Sequence, residues 1–280
     1  MADTADDPAF PIMPAPTHTA PLHLPEYQPA RQFGDALDSE ALRERIVAVT
    51  GATGGLGTSL CKGLAQRGAT VVMLGRKMKK LEALYDVLDQ QGAATPAMAE
   101  LDLASHDSED ARAVAEMLYA EFGRLDALVH CAVDTGPSAP QNGIDMDLFD
   151  RVFKVNVSAP RTLTLACLPL LEKSDAASVV WPLDNRVGAY VGAYGLSKSA
   201  VRALAFALAE ENEHKKAADG HPLIALNGYD PGPMRTPLRR RLFAGEHATE
   251  SPDPAERLDP LLHLIARSDR SINGAALAWH

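Results

Sequence analysis

The chain has 280 residues, of which 46% are hydrophobic and 23% charged, and its formal net charge is -10 at pH 7. These values are typical of a globular protein with a large core, and they exclude collagen-like, coiled-coil and wholly disordered chains. The acidic balance also argues against binding to the phosphate backbone of nucleic acids, which requires a basic face.

The three cysteines, Cys61, Cys131 and Cys167, are spaced too widely for a zinc site or a disulfide framework. We therefore predict no metal site and expect a reducing compartment. No apolar run approaches the ~18 residues of a membrane span, and the first residues lack the basic and apolar regions of a secretion signal. The sequence favours a cytoplasmic enzyme or binding protein that associates with no membrane.

Residues 1–43 form a proline-rich N-terminal arm, the first of two predicted regions. Seven prolines fall within its first thirty residues, where neither a helix nor a central strand can persist. We interpret the arm as extended, either as a mobile tail or as a segment that docks on the rest of the protein through Leu22, Leu24 and Tyr27.

From residue 44 to residue 280, short apolar runs rich in β-branched residues alternate with segments of helical apolar spacing. We predict strands at 45–50, 69–74, 97–102, 127–131, 177–181, 222–227 and 273–279, helices at 57–68, 77–90, 108–122, 147–171, 189–215 and 254–267, and a loop rich in proline and arginine before the last helix. Strands that alternate with helices pair in parallel through right-handed crossovers. The prediction is one α/β domain built on a doubly wound parallel sheet with helices on both faces, whose ligands bind at the carboxyl ends of the strands.

A glycine-rich turn follows the first predicted strand, with the sequence Thr50-Gly51-Ala52-Thr53-Gly54-Gly55-Leu56-Gly57. Glycines allow a tight turn and bring backbone N–H groups close to a pyrophosphate, which the N-terminus of the next helix also attracts. No Walker lysine is present, which disfavours a P-loop nucleotidase. The place of the turn between a strand and a helix favours a dinucleotide site over a purely structural turn.

The second predicted strand ends in Leu74-Gly75-Arg76-Lys77, without the Asp or Glu that commonly binds the ribose hydroxyls of NAD. A guanidinium at this place can pair with a 2′-phosphate and stack on adenine. Arg76 therefore favours NADP(H), with NAD(H) still possible. The alternative is that Arg76 and Lys77 are only the solvated start of a helix.

Tyr194 and Lys198 stand four residues apart in a predicted helix and so share one of its faces. A phenol, with a pKa of about 10, is a poor acid or base at neutral pH. We expect the neighbouring ammonium to lower the pKa of Tyr194 into a useful range. Because the pair follows the fifth predicted strand of a chain that begins with a dinucleotide turn, it predicts an acid–base site.

Over residues 44–280 the sequence resembles the short-chain dehydrogenase/reductase family. The family motif TGxxxGxG is matched by Thr50, Gly51, Gly55 and Gly57, and its motif YxxxK by Tyr194 and Lys198. The resemblance implies a single Rossmann-like domain and an NAD(P)-dependent oxidoreductase that transfers hydride between nicotinamide and an alcohol or carbonyl substrate. Within the family, the N-terminal arm and the compact C-terminus are similar to the YciK-type bacterial oxidoreductases.

The resemblance also implies roles for single residues. Tyr194 is the expected acid/base, Lys198 holds the ribose and tunes Tyr194, and Asn156 supports a proton relay. The implied cofactor-binding residues are Gly51, Thr53, Gly55, Leu56, Gly57, Arg76, Asp102, Leu103, Cys131, Tyr194, Lys198, Pro231, Gly232 and Met234. Members of the family commonly associate through the helices that correspond to 108–122 and 147–171, so a homodimer or homotetramer is expected.

Two positions depart from the family pattern. The sequence His130-Cys131-Ala132-Val133 replaces Asn-Asn-Ala-Gly, and we interpret His130 as a packed histidine at a strand end rather than a catalyst. Asp184 stands where the family has the serine that polarises the substrate carbonyl, and no Ser or Thr lies between Ser178 and Ser197. The loss of one such donor typically costs about 10²–10³ in rate.

Several readings of Asp184 stay open at this point. It can assist catalysis if it is protonated or if the substrate offers it a donor, Asn185 can supply an N–H donor in its place, or Asp184 can merely cap a turn. The leading hypothesis is an NADP(H)-dependent oxidoreductase for a small carbonyl or alcohol substrate, with Asp184 or Asn185 in place of the serine. The alternative is a dinucleotide-binding sensor or scaffold protein with weak or lost catalysis.

Nucleic-acid binding through Arg235 and the run 239–241 is a third hypothesis, which the sequence disfavours. In the family that the chain resembles, this loop covers the substrate. The arginines there could equally attract an anionic substrate.

Overall fold

The structure is a computed structural model that describes residues 24, 26–30, 33, 36–91, 94–105, 107–186, 188–243, 245–247 and 250–279. Most of the N-terminal arm, including Leu22 and six of the seven prolines, lies outside the described residues. Within the described part, no helix combines the length and apolar character that a membrane crossing needs.

Within the described residues, eight strands form one sheet. They are β1 (Tyr27–Pro29), β2 (Ile46–Thr50), β3 (Thr70–Gly75), β4 (Ala97–Glu100), β5 (Ala127–His130), β6 (Ala177–Pro182), β7 (Ile224–Asp230) and β8 (Ala276–Ala278). Their order in the sheet is β1-β8-β7-β6-β5-β2-β3-β4, and every neighbouring pair is parallel. The strand order reverses between β2 and β5, and the crevice at the carboxyl ends of such a pair is where doubly wound sheets bind ligands.

Helices cover both faces of this sheet. They are α1 (Gly55–Ala65), α2 (Met78–Asp89), α3 (Ser108–Phe122), α4 (Met146–Phe153), α5 (Ala159–Leu171), α6 (Gly192–Asn212), α7 (Pro237–Leu242) and α8 (Asp259–Ala266). Alternate residues of β2 point to opposite faces: Ala48 packs in the cluster that contains buried residues of α3, α5 and α6, and Val49 in the cluster of α1, α2 and α8. The predicted α/β fold, a doubly wound parallel sheet with helices on both faces, is confirmed.

Several predicted boundaries were wrong because pairing with neighbours decides where an element ends. β7 continues to Asp230 since its last residues pair with both β6 and β8. β4 ends at Glu100, before Asp102. The predicted helix 147–171 consists of α4 and α5 joined by a π-helical turn at Lys154–Ser158, and the helix predicted at 254–267 consists of a 3-10 turn at Pro254–Arg257 followed by α8.

The loop predicted before the last helix contains α7. The hydroxyl of Thr236 accepts a hydrogen bond from the backbone N–H of Arg239 at 3.1 Å, and Pro237 occupies the first turn. This combination of a threonine cap with a proline at the helix start is a local signal for a helix. The local sequence at Thr236 and Pro237 therefore favours the start of α7.

The described end of the N-terminal arm joins the sheet. Tyr27–Pro29 pair with β8 at the sheet edge, where a proline without an N–H group is tolerated. The guanidinium of Arg202, on α6, lies 4.4 Å from the centroid of the Tyr27 ring. The arm thus supplies one edge strand of the sheet, next to β8.

Candidate active site

A cleft of about 720 Å³ lies at the carboxyl ends of the central strands, a volume in the range of small-molecule pockets. The predicted site residues that line it are Gly51, Thr53, Gly55, Leu56, Arg76, Asp102, Leu103, Cys131, Asp184, Tyr194, Lys198, Pro231, Gly232 and Met234. Two further predicted residues, Gly57 and Asn156, are buried behind its walls. The structure therefore brings the glycine turn, the Tyr–Lys pair and the segment after β7 to one place.

The glycine turn is packed too tightly for side chains. Gly51 has φ +62°, and a Cβ atom on it would lie 2.6 Å from the Cα of Ala132 at the end of β5. A Cβ on Gly57 would lie 2.3 Å from the carbonyl oxygen of Gly51. The N-cap of α1 is Gly54, which has no side chain to cap the first N–H groups of the helix. These groups are free to bind an anion at the floor of the cleft.

The end of β3 forms a basic rim. Arg76, Lys77 and Lys80 are exposed, and all three line the cleft next to Gly75. Asp102, from the loop after β4, lines the same end of the cleft and accepts a hydrogen bond from the backbone N–H of Ala104 at 3.0 Å. The sequence analysis identified Arg76 but not Lys80, which lies in the first turn of α2 and also lines the cleft.

Tyr194 is only 4% exposed, and its hydroxyl donates to Oδ2 of Asp184 at 2.8 Å. Burial, the negative charge of Asp184 and this hydrogen bond raise the pKa of Tyr194 well above its ordinary value. The expectation that the pKa of Tyr194 is lowered into a useful range was wrong, because the net shift is upward. Lys198 Nζ lies 5.9 Å from the ring centroid and donates to the carbonyl oxygen of Pro182 at 2.6 Å.

Lys198 is itself buried at the end of β6. Burial lowers its pKa, although the charges of Asp184 and Asp230 oppose that shift. Its hydrogen bond to Pro182 fixes the ammonium group below the phenol ring of Tyr194. The pair shares one helix face, as predicted from its spacing.

Asp184 forms a bidentate salt bridge with Arg186. The sequence analysis did not identify Arg186. Nε of Arg186 donates to Oδ1 at 2.7 Å and Nη2 donates to Oδ2, while the backbone N–H of Arg186 donates to Oδ1 at 3.1 Å. Burial raises the pKa of Asp184, but the hydrogen bonds and charge of Arg186, together with the hydroxyl of Tyr194, outweigh it and lower the pKa. Asp184 is ionised at neutral pH, so the hypothesis of a protonated Asp184 was wrong.

Asn185 does not take the place of the serine. It is exposed, whereas its neighbours Asp184 and Arg186 line the cleft. Its backbone N–H donates to Oδ2 of Asp230 at 2.8 Å, which uses that donor to close the turn after β6. The hydrogen-bond donors beside Asp184 are the hydroxyl of Tyr194 and the guanidinium of Arg186.

Asn156 lies in the π-helical turn between α4 and α5, a kind of turn found frequently at functional sites. Its side-chain oxygen accepts from the backbone N–H of Asp134 at 2.8 Å, and its amide nitrogen donates to the carbonyl oxygen of Asp134 at 2.7 Å and to Ser197 Oγ at 2.8 Å. The side chain therefore ties the cleft wall after β5 to the residue that precedes Lys198. It acts as a positioning group in the structure.

His130 is a packed histidine at the end of β5. Its Nε2 lies 2.8 Å from the hydroxyl of Thr164, and its ring stacks on Trp181 with centroids 5.3 Å apart. The hydroxyl of Thr164 donates to the carbonyl oxygen of Pro160, so it accepts from His130. Burial and the charge of Lys198 lower the pKa of His130 to about 3, which makes the ring neutral.

The segment after β7 closes over this side of the cleft. The ring of Phe243 lies between two guanidinium groups, 4.7 Å from that of Arg186 and 4.1 Å from that of Arg239. Arg239 in turn donates to both carboxylate oxygens of Glu246 at 2.5 Å. Phe243 therefore packs on Arg186 and joins the loop after β6 to the segment after β7. Hydrophobic periodicity in the sequence does not predict such a contact.

Comparison with known proteins gives a consistent result. Residues 45–247 match the model of a family described as short chain dehydrogenase. The oxidoreductase YciK of Escherichia coli K12, described as uncharacterized, is 32% identical over 238 residues, which are 84% of this chain and 91% of that protein.

Solved structures of the same kind share the whole fold. A putative short chain dehydrogenase from Escherichia coli CFT073, complexed with NADPH, is 31% identical with a TM-score of 0.82 and covers 87% of this chain and 100% of its own. A second, from Shigella flexneri 2a and complexed with NADP, is 30% identical with a TM-score of 0.81 and covers 86% of this chain and 99% of its own.

Proposed function

The chain belongs to the short-chain dehydrogenase/reductase family, and from that premise we propose that it is an NADP(H)-dependent oxidoreductase that interconverts a small carbonyl compound and its alcohol. The observation that carries this proposal is the position of Tyr194. Tyr194 lines the same cleft as the glycine turn, with the ammonium group of Lys198 beside its ring. This arrangement supports a role for Tyr194 as a proton donor beside a dinucleotide groove.

The residues of the cleft fit NADP(H). The tight glycine turn leaves room for a pyrophosphate beside the N-terminus of α1, and the basic rim at Arg76 suits a 2′-phosphate. The residues proposed to hold the cofactor are Gly51, Thr53, Gly55, Leu56, Arg76, Asp102, Leu103, Cys131, Lys198, Pro231, Gly232 and Met234. When bound, NADPH supplies the hydride that the carbonyl carbon gains.

Tyr194 supplies the proton in this proposal. As the carbonyl carbon gains a hydride, the substrate oxygen takes the phenolic proton, and the product is an alcohol. Lys198 stabilises the phenolate that is left, which regains a proton from water. The raised pKa of Tyr194 keeps it protonated at neutral pH and so favours reduction over oxidation.

One observation favours a second candidate function. The carboxylate of Asp184 is ionised and accepts the hydrogen bond of Tyr194, although a carboxylate repels a developing oxyanion. A protein that binds NADP(H) as a sensor or scaffold would tolerate this substitution. Hydride transfer distinguishes the two functions, because only the oxidoreductase converts a substrate.

The remaining proposals concern organisation. We divide the chain into an arm at residues 1–43, of which Tyr27–Pro29 join the sheet, and a domain at residues 44–280. We also propose a homodimer or homotetramer that associates through α3 and α5, which pack side by side on one face of the sheet. Light scattering on the purified full chain tests the oligomeric state.

Steady-state kinetics test the proposed function. The purified protein is assayed by NADPH absorbance against a panel of ketones and aldehydes, and with NADP⁺ against the corresponding alcohols. We expect Tyr194→Phe to lower kcat by about 10²–10⁴ while NADPH affinity, measured by fluorescence, is retained. Tyr190→Phe is the matched control, since Tyr190 lies in the turn just before α6 and is 66% exposed. Tight NADPH binding without any turnover would contradict the proposal and support the sensor.

A further inference from the structure

Each hydrogen-bond donor at the substrate oxygen accelerates the reduction of a carbonyl. Negative charge develops on that oxygen, and Tyr194 supplies one donor. The place that holds a serine hydroxyl in the family holds Asp184 here, and its ionised carboxylate can only accept. Any second donor must therefore come from another group that lines the cleft.

Two donors converge on the same atom of Asp184. The hydroxyl of Tyr194 donates to Oδ2 at 2.8 Å, and Nη2 of Arg186 also donates to Oδ2. A substrate oxygen that accepts from Tyr194 must approach the hydroxyl close to this point. It therefore lies near the guanidinium group that already shares an acceptor with Tyr194.

One hydrogen-bond donor of Arg186 is not used by Asp184. Its Nε and Nη2 are occupied by Asp184, but Nη1 is buried and has no hydrogen-bond partner among the described residues. A buried donor without an acceptor is unfavourable, and more so when it is charged. An oxygen atom of a substrate would satisfy it without breaking the contact with Asp184. The guanidinium stays cationic throughout, because an arginine keeps its proton at any working pH.

We propose that Arg186 is the second donor of the active site: held in place by Asp184, its guanidinium binds the substrate oxygen beside Tyr194 and stabilises the negative charge that forms there. This inference rests on the proposed function. Arg186 transfers no proton; the proton comes from Tyr194 and the hydride from the cofactor, so Arg186 contributes charge and orientation only. The roles of the two residues explain why an acid replaces the serine: Asp184 acts on the substrate through Arg186.

Phe243 packs on the guanidinium of Arg186. Its ring centroid lies 4.7 Å from the guanidinium carbon, and the residue is 37% exposed. This contact supports the group from one side, while the N–H donors of a guanidinium lie in its own plane.

The first test removes the guanidinium. With the fastest substrate of the carbonyl panel, we expect Arg186→Ala and Arg186→Gln to lower kcat by about 10²–10³, the cost of losing one oxyanion donor, and Arg186→Lys to lower it less. NADPH affinity and the circular dichroism spectrum should stay as in the wild type. Arg43→Ala is the matched control, because Arg43 also pairs with a carboxylate, that of Glu40, but is exposed and precedes β2 at the opposite end of the strands.

The second test restores a donor by two routes. Added guanidinium ion should raise the activity of Arg186→Ala and leave that of Tyr194→Phe unchanged. The double variant Asp184→Ser/Arg186→Ala should be at least about 10-fold more active than Arg186→Ala, because the new hydroxyl replaces the missing donor. Neither gain is expected if Arg186 only supports the loop.

The outcomes separate this inference from the proposed function. If Arg186→Ala and Arg186→Gln keep kcat within about threefold of the wild type while Tyr194→Phe is inactive, the inference is overturned and the proposed function stands. If neither added guanidinium ion nor the Asp184→Ser substitution restores the kcat that Arg186→Ala loses, Arg186 has only a structural role, and the inference is also overturned. If the wild-type protein binds NADPH but converts no substrate, both are overturned.

Discussion

The hydroxyl of Tyr194 donates to the ionised carboxylate of Asp184 at 2.8 Å. This contact stabilises the protonated phenol, because a phenolate could not donate and would face a negative charge. Burial, the charge of Asp184 and this hydrogen bond together raise the pKa of Tyr194. The site therefore contains a phenol that stays protonated at neutral pH and can donate its proton to a substrate.

The raised pKa of Tyr194 predicts opposite pH profiles for the two directions of the reaction. Reduction needs the protonated phenol, so kcat with NADPH should stay constant between about pH 6 and pH 9. Oxidation needs the phenolate, so kcat with NADP⁺ should rise with pH across the same range. A reduction rate that falls as the pH rises through 7 would show that the phenol ionises near neutrality and would contradict the assignment.

Removal of the charge at Asp184 should lower the pKa of Tyr194. In Asp184→Asn the phenolate no longer faces a carboxylate, so its pKa should move down towards the ordinary value of about 10. The pKa of Tyr194 in this variant is measured by titrating the absorbance of tyrosinate. The signal of Tyr194 is the difference between Asp184→Asn and Asp184→Asn/Tyr194→Phe. Asp89→Asn, at the exposed end of α2, is the control. An unchanged titration would mean that burial alone sets this pKa.

Arg76 should discriminate between the two nicotinamide cofactors. If it pairs with a 2′-phosphate, Arg76→Ala loses a charge-assisted hydrogen bond of about 1.5–3 kcal/mol, and NADPH binds about 10- to 100-fold more weakly. NADH affinity should not change. Lys79→Ala is the control, since Lys79 is exposed in the first turn of α2, three residues after Arg76, and does not line the cleft. An NADPH affinity that survives Arg76→Ala would exclude Arg76 as the phosphate-binding residue.

His130 should make the fold sensitive to acid. Its pKa in the folded protein is about 3, below the ordinary 6.5, so the unfolded chain takes up the proton first and stability is lost as the pH falls from 6.5 towards 3. Between pH 7 and pH 5 this amounts to about 2 kcal/mol of the free energy of unfolding.

Urea unfolding of His130→Phe at both pH values measures this loss. The phenylalanine can still stack on Trp181 but cannot titrate, so the difference between pH 7 and pH 5 should shrink by about that amount. His214→Phe, at an exposed position, should leave the difference unchanged. The same acid sensitivity in His130→Phe and in the wild type would show that other groups cause it.

The parts of the site that the sequence predicted are those determined by local pattern. The glycine turn follows directly from the end of β2, and the spacing of Tyr194 and Lys198 places both on one face of α6. The alternation of strands and helices was enough to predict the sheet. Each of these features depends on residues that are close together in the chain.

The parts that the sequence missed depend on contacts between distant segments. The pKa of Tyr194 is raised by burial and by Asp184, ten residues earlier, which the turn after β6 brings to the hydroxyl. Phe243 reaches Arg186 from the segment after β7, and β1 pairs with β8 across the length of the chain. Hydrophobic periodicity carries no information about such pairs, since they form only when the sheet is assembled.

Transfer of deuterium from NADPH that carries deuterium at both C4 positions to the product of a single turnover tests the central claim most directly. The account predicts that, with a substrate from the carbonyl panel, the wild-type product carries one deuterium at the former carbonyl carbon. In Tyr194→Phe, with NADPH equally bound, this transfer should be about 10²–10⁴ slower. Saturating NADPH with no deuterium in any product would contradict the account and leave a protein that binds the cofactor without using it.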